Sequence, residues 1–302
     1  LNHFSRPKGF GEILDQTFRI TKSHFSSFFL IVLILVGPFL LLEALVNLAY
    51  GVSFFRETVE GNGVLERMMN RLALNEEYTE LAQNSWISLI QLISFIMYPI
   101  AQAAIIFGVF HLKNGESFST GSLIKKSFSR FWSLIGSSIL YFLMVIGIII
   151  LPFIIFFSIS AMIFGMAESA AFIIIFFLLV FIGLAVGIGY LLTRWSMYLA
   201  AVAIEREAPG FGRSWRLTKG NGWRVLGLII VVALISTIVI GGIEMSFSAF
   251  LGNSVVMQLI ISALSLVLTM IMSILIAVIF FDLKIRQDAD DLDQMLDDYQ
   301  EK

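Results

Sequence analysis

The apolar positions of this chain gather into six long blocks, at about residues 27–50, 85–111, 133–164, 170–193, 223–243 and 255–281. Each is longer than the roughly 18 residues that mark a helix able to cross a bilayer. The pattern predicts an all-α integral membrane protein with one transmembrane helix per block. Pro38, Pro99 and Pro152 fall inside three of the blocks and predict a kink in each. The connection Gly165–Ser169 is so short that the third and fourth blocks must form an antiparallel hairpin. The connection over 51–84 is polar, with a helical pattern at Val64–Leu74.

An amphipathic segment precedes the first, third and fifth blocks. In Gly9–Phe25, the residues Phe10, Ile13, Leu14, Thr17, Phe18 and Thr21 share one side at helical spacing, while Glu12, Asp15, Arg19 and Lys22 lie elsewhere. Such a helix lies in the headgroup layer with its apolar side down. Leu123, Ile124, Phe128, Phe131 and Trp132 form a second segment of this kind. Thr17-Phe18-Arg19-Ile20-Thr21-Lys22 aligns with Ser214-Trp215-Arg216-Leu217-Thr218-Lys219, and Ser127-Phe128 stands at the equivalent place before the third block. This predicts three pseudo-repeats, each an interfacial amphipathic helix followed by a helical hairpin. All three share one orientation, unlike the inverted repeats of many secondary transporters.

Charge fixes the orientation. Charged residues make up 14% of the 302, against about 25% in soluble domains. With both termini in the cytoplasm, 17 of the 20 Lys and Arg fall inside and only Arg56, Arg67 and Arg71 outside. The positive-inside rule therefore selects six spans, N-in and C-in. The expected domain is a single polytopic unit over 1–302 with an acidic cytoplasmic tail at 282–302. The first residues do not read as a removable signal peptide. There is no cysteine, which excludes disulfides and thiolate metal sites.

Candidate chemistry is sparse. His3, His24 and His111 are isolated, and no metal-ligand spacing or phosphate-binding loop occurs, so neither a metal nor another cofactor is expected. Glu43 is the one acidic residue well inside an apolar block, with Asn47, Gln91 and Gln102 as candidate partners. An intramembrane carboxylate marks function by default, unless it reaches the outer interface or serves a packing hydrogen bond. The stretch 194–225 is the most charged interior segment. Arg194, Glu205, Arg213, Arg216, Lys219 and Arg224, with Arg19 and Lys22, are candidates for contact with anionic headgroups, at about 1 kcal/mol for each cation. Arg194 and Glu205 are also candidates to pair with each other, or with Arg213 or Arg216, and so fix the loop. Gly183 with Gly187, and the Ser262, Ser265, Thr269 and Ser273 face, read as helix-packing surfaces.

The residues Arg194-Trp195-Ser196, Glu205, Gly212 to Gly220 and Trp223-Arg224-Val225 resemble the membrane region of bacterial glycerophosphoryl diester phosphodiesterases. Gly9-Phe10-Gly11-Glu12-Ile13-Leu14-Asp15 with Phe18-Arg19 is similar to the opening of that region. In fused members of that family, catalysis belongs to a separate soluble barrel with His and Glu/Asp metal motifs, and nothing in this chain matches it. The resemblance implies a stand-alone membrane module in the bacterial cytoplasmic membrane, without the phosphodiesterase activity. The first functional expectation is a non-enzymatic scaffold or accessory subunit that grips anionic lipid and docks a basic protein partner through its tail. The second is a transporter or translocation aid for a lipid-related amphiphile, with a path near Glu43. An enzyme acting on glycerophospholipid headgroups ranks third, and no nucleic-acid partner is expected.

Overall fold

The computed structural model describes residues 6–55, 77–164, 170–252 and 254–300, and these residues form helices and connections with no strand. In chain order the helices are α1 (Phe10–Ser23), α2 (Phe25–Leu35), α3 (Gly37–Ala49), α4 (Glu77–Lys113), α5 (Thr120–Phe128), α6 (Phe131–Phe164), α7 (Ala170–Trp195), α8 (Tyr198–Ala200), α9 (Phe211–Leu217), α10 (Gly222–Leu251) and α11 (Val255–Gln300). A π-helical turn, Ala201–Glu205, follows α8. The helix expected at Val64–Leu74, the turn at Gly165–Ser169 and the three arginines expected outside lie beyond the described residues.

Five helices, α4, α6, α7, α10 and α11, are long and apolar enough to cross a membrane. The first apolar block differs from the expected single kinked helix, because it is divided into α2 and α3 at Val36. Pro38 is the reason. It lacks an amide hydrogen, so it sits where a helix needs none, in the first turn of α3. Pro99 and Pro152 lie inside uninterrupted helices. The α1 and α2 axes meet at 77°. The last helix runs beyond the apolar block that ends at 281, and α11 continues through the acidic segment to Gln300.

Helices α4 and α11 form the centre. In their most apolar windows 61% and 56% of residues are buried, against none in α6 and 11% in each of α7 and α10. Small residues let the central helices approach their neighbours. Ala101, Ala103 and Ala104 of α4 and Ala277 of α11 are fully buried. At Gly108 a β-carbon would collide with the Phe28 ring and come within 3.1 Å of Leu123. Gly183 and Gly187, expected to pack a helix, instead have nothing within 4 Å where a β-carbon would stand. Their side of α7 faces away from the bundle.

The aligned segments occupy like environments. Ile20 and Leu217 are buried, Phe18 and Trp215 are 39% and 40% exposed, and Arg19, Arg216, Lys22 and Lys219 all face out. The Thr21 hydroxyl donates to the Thr17 carbonyl at 2.8 Å, and the Thr218 hydroxyl donates to the Ser214 carbonyl at the same distance. Ser127 is buried and Phe128 exposed, like their counterparts. Each amphipathic helix packs on a long helix: α1 on α11, α5 on α4 and α9 on α7. Their inner faces are thus covered by protein. In α1 the buried face is Ile13, Gln16, Thr17, Ile20 and Thr21, whereas Phe10 and Phe18 are exposed. Threonine can turn inward because its hydroxyl bonds back to its own helix.

A Gly108→Val substitution is expected to lower stability by about 1–3 kcal/mol through overpacking. Gly183→Val, in open space, should leave the thermal midpoint in detergent unchanged.

Candidate functional site

The outer helices do not close fully on the central pair. Helix α6 packs on α4, α10 packs on α11, and α7 packs on α6 and α10. The space enclosed by α4, α6, α7, α10 and α11 is a partly open cavity of about 630 Å³. Its walls are mostly apolar, with Ile106, Val145, Leu192, Leu226, Ile229 and Met272 among them. At one end Phe95 and Phe142 meet edge to face at 5.0 Å, and both are well exposed. Toward the other end lie the hydroxyls of Ser138, Thr193, Ser196 and Tyr198.

The polar groups of this cavity divide into spent and unspent. Ser138 and Tyr198 share a hydrogen bond of 3.1 Å, and the Tyr198 ring stacks on Tyr141 at 4.5 Å. Thr193, Ser196 and Ser273 donate to carbonyls of their own helix or turn, which leaves only their acceptor lone pairs. The Gln102 amide and the Tyr98 and Tyr141 hydroxyls make no hydrogen bond among the described residues. Pro99 adds one more group. Having no amide hydrogen, it leaves the Phe95 carbonyl without its helical donor.

The end of the bundle that carries Lys113 and Arg194 is locked by two carboxylates. Glu205 closes the π-helical turn. It accepts two hydrogen bonds from Arg213, at 2.6 and 3.1 Å, and one from Lys284 at 2.8 Å. Arg213 also donates to Gln287 at 2.8 Å. Helix α9 can start within reach because Gly210 takes a left-handed conformation, φ +78°, against the Tyr198 carbonyl, where a side chain would collide. Arg130 donates to the carbonyls of Val202 and Ala203 in the π-helical turn. The second carboxylate, Asp282, is buried. It accepts from the Lys8 amide at 2.6 Å, Arg286 at 2.9 Å and Arg224 at 3.3 Å, while both arginines also donate to the Lys8 carbonyl. Burial pushes the Lys8 ammonium down to about 8, with nearby Asp282 opposing and Arg19 adding to the shift.

The expected site residues separate into groups. Glu43 is half-buried and accepts from the Gln91 amide at 3.3 Å. Asn47 does not join them. It accepts from Gln83 at 2.8 Å and donates to Gln258 at 2.6 Å, tying α3 to α4 and α11. Gln102 lies on the cavity instead. Gln91 stands about 30 Å along α4 from His111 at 1.5 Å per residue, one hydrocarbon thickness. Arg194 is buried with its guanidinium 4.3 Å from the Trp215 ring, and it makes no pair with Glu205. Its carbonyl accepts from Ser214 and Thr218 at 2.8 and 3.4 Å. Arg213 and Arg224 spend their guanidinium groups inside the protein. Arg216 pairs with Glu207 at 3.0 Å on the surface. Arg19, Lys22 and Lys219 are exposed.

A family model described as a domain of unknown function, DUF7847, matches residues 32–283. The chain belongs to that family. Searches of curated proteins and of solved structures gave no match. The DUF7847 region begins within α2 and ends just past Asp282, so it contains every residue of the cavity wall and leaves out α1.

Sequence reasoning missed several residues that matter in this DUF7847 chain. Tyr98, Tyr141 and Tyr198 carried no signal, because a single tyrosine in or beside an apolar block does not by itself mark a cavity. Asp282 was grouped with the acidic tail. The available signal was its place directly after Phe280-Phe281, one helical turn before Arg286.

Asp282→Ala is expected to cost on the order of 3 kcal/mol, because it leaves two arginines facing each other without a counter-charge. It should also release residues 6–9 to protease. Glu207→Ala, at a surface pair, should cost less than about 1 kcal/mol. The lowered Lys8 value sets a pH window. Below about 8 the folded state carries the full penalty of a buried ammonium. Between 8 and 10.5 the unfolded chain holds more protons, so stability rises with pH. Wild type should gain thermal stability relative to Lys8→Met across that window and show a constant gap below it.

Proposed function

We propose that the chain is a non-catalytic, multi-pass protein of the cytoplasmic membrane that holds a lipid-related amphiphile in the cavity bounded by α4, α6, α7, α10 and α11. The observation that carries this reading is an apolar cavity in which Gln102, Tyr98 and Tyr141 keep unspent hydrogen-bonding groups. Its volume falls within the about 300–1,000 Å³ usual for ligand pockets. Phe95 and Phe142 form its lipid-facing mouth. An apolar chain enters there, and the polar end of the ligand meets the hydroxyls beside Ser138 and Tyr198. Of the two leading expectations from the sequence, this geometry favours the second.

The proposed topology has six crossings, with α2 and α3 together as the first and both termini in the cytoplasm. The asymmetry of Lys and Arg supports it. Three repeating units follow from the matched environments of the amphipathic helices. In that arrangement each amphipathic helix rests on the returning helix of the preceding unit, and α1 rests on the last, which closes a ring. Glu43 then lies near the outer interface, where a carboxylate costs little, and its role is to hold α3 against α4. A scaffold role is the second reading. It draws on the locked cytoplasmic face and on α11, which extends about 20 Å past Arg286 at 1.5 Å per residue.

The test is mass spectrometry of the intact particle released from its native membrane in mild detergent. Wild type is expected to carry a bound amphiphile, and Ser273→Phe, which fills the cavity, to lose it. A wild-type particle without bound amphiphile, or a Ser273→Phe particle that keeps it, overturns the reading. A stoichiometric protein partner in its place favours the scaffold.

A further inference from the structure

The matched helices α1 and α9 differ at one point. Arg216 of α9 is answered by the chain's own Glu207. Its counterpart Arg19 makes no ion pair or hydrogen bond among the described residues, and it lines a second cavity of about 690 Å³. This cavity lies between α1, the start of α2 and the connection from α4 to α5, at the same end of the bundle as the ion-paired lock.

Its chemistry suits a phosphate. Ser27 and Ser117 present hydroxyls to it, while the Ser23 hydroxyl is shared between the Ile20 carbonyl and the His24 Nδ1, the latter at 2.8 Å. Helix α2, eleven residues long, begins at its edge with no side-chain cap, so its first-turn amides lie there, beside the last carbonyls of α1, which ends at Ser23. Gln16, on the same wall and buried, accepts from Lys8 through its oxygen, but its amide nitrogen has no acceptor. A buried donor left unpaired is costly. The one carboxylate on the wall, Glu116, is held by the His111 imidazole at 2.6 Å.

We propose that this cavity binds the phosphodiester of an anionic phospholipid headgroup. Arg19 supplies the charge, since guanidinium matches phosphate geometry. Ser27 and the first turn of α2 supply further donors, and the second carboxylate oxygen of Glu116 receives a hydroxyl of the headgroup. The site is separate from the tyrosine-lined cavity and does not rest on the reading of that cavity.

Phosphatidylglycerol binding, measured by native mass spectrometry in detergent, tests it. Arg19→Gln and Arg216→Gln each remove one exposed charge from matched positions, so a diffuse attraction to the surface weakens equally in both. The expected result is a loss of about tenfold in Arg19→Gln, the order of one charge-assisted hydrogen bond, with Arg216→Gln and Ser273→Phe like wild type. Equal loss in Arg19→Gln and Arg216→Gln, or no loss in Arg19→Gln, overturns the proposal. Glycerol phosphate and inorganic phosphate separate the sources. Failure of either to displace the lipid assigns the site to a membrane headgroup. Displacement with the same dependence on Arg19 keeps the phosphate site and assigns it to a soluble ligand.

Discussion

The close approach of α4 to α11 is the contact on which the rest of the bundle depends. Apolar burial alone drives little association between helices in lipid, because the lipid is as apolar as the side chains. What remains is packing and hydrogen bonding. The buried Ala101, Ala103, Ala104 and Gly108 of α4, with Ala277 of α11, allow that packing. Phe28 and Leu123 enter the space that Gly108 leaves open and bring α2 and α5 onto the same axis. Three of the outer helices then present their apolar residues away from the core, as Leu143, Leu179 and Ile238 do.

Charge completes what packing begins. At the basic end, Asp282 and Glu205 join segments far apart in sequence: residue 8 to α10 and α11, and the π-helical turn to α9 and α11. Each carboxylate meets several donors, so neither partner is left buried alone. The same end carries charges that the protein does not neutralise, and the contrast gives those charges meaning. Where Glu207 answers Arg216, nothing among the described residues answers Arg19.

The long helices were legible because a bilayer demands a long apolar run, and the run is visible residue by residue. The aligned segments were legible too, down to the paired threonines, since the small and basic positions recur at the same spacing. Less visible was which way a helix turns. Phe10 and Phe18 share a side with Ile13 and Thr17 at helical spacing, yet the protein covers Ile13, Gln16, Thr17, Ile20 and Thr21. Hydrophobicity ranks phenylalanine first, whereas the contact with α11 selects side chains that fit and can satisfy their polar atoms. Partners across the chain were also hidden. Glu43 found Gln91 as foreseen, but Asn47 went to Gln83 and Gln258, a choice set by the depth of each side chain. The cavity had no trace in the sequence, because it belongs to helices far apart in the chain and to the gap between them.

Helices α4 and α11 carry fully buried small residues, while the exposed Gly183 and Gly187 of α7 look outward. Leu192 and Thr193 of α7 line the cavity. The basic end of α7 is anchored through Ser214 and Thr218 on the Arg194 carbonyl. Along the cavity wall no side chain fills the space beside it. Empty apolar volume forfeits dispersion contacts on every wall. On the proposed reading, an amphiphile supplies those contacts, so ligand and α7 stabilise each other. The imperfection in the ring is then the feature that makes it a binding protein.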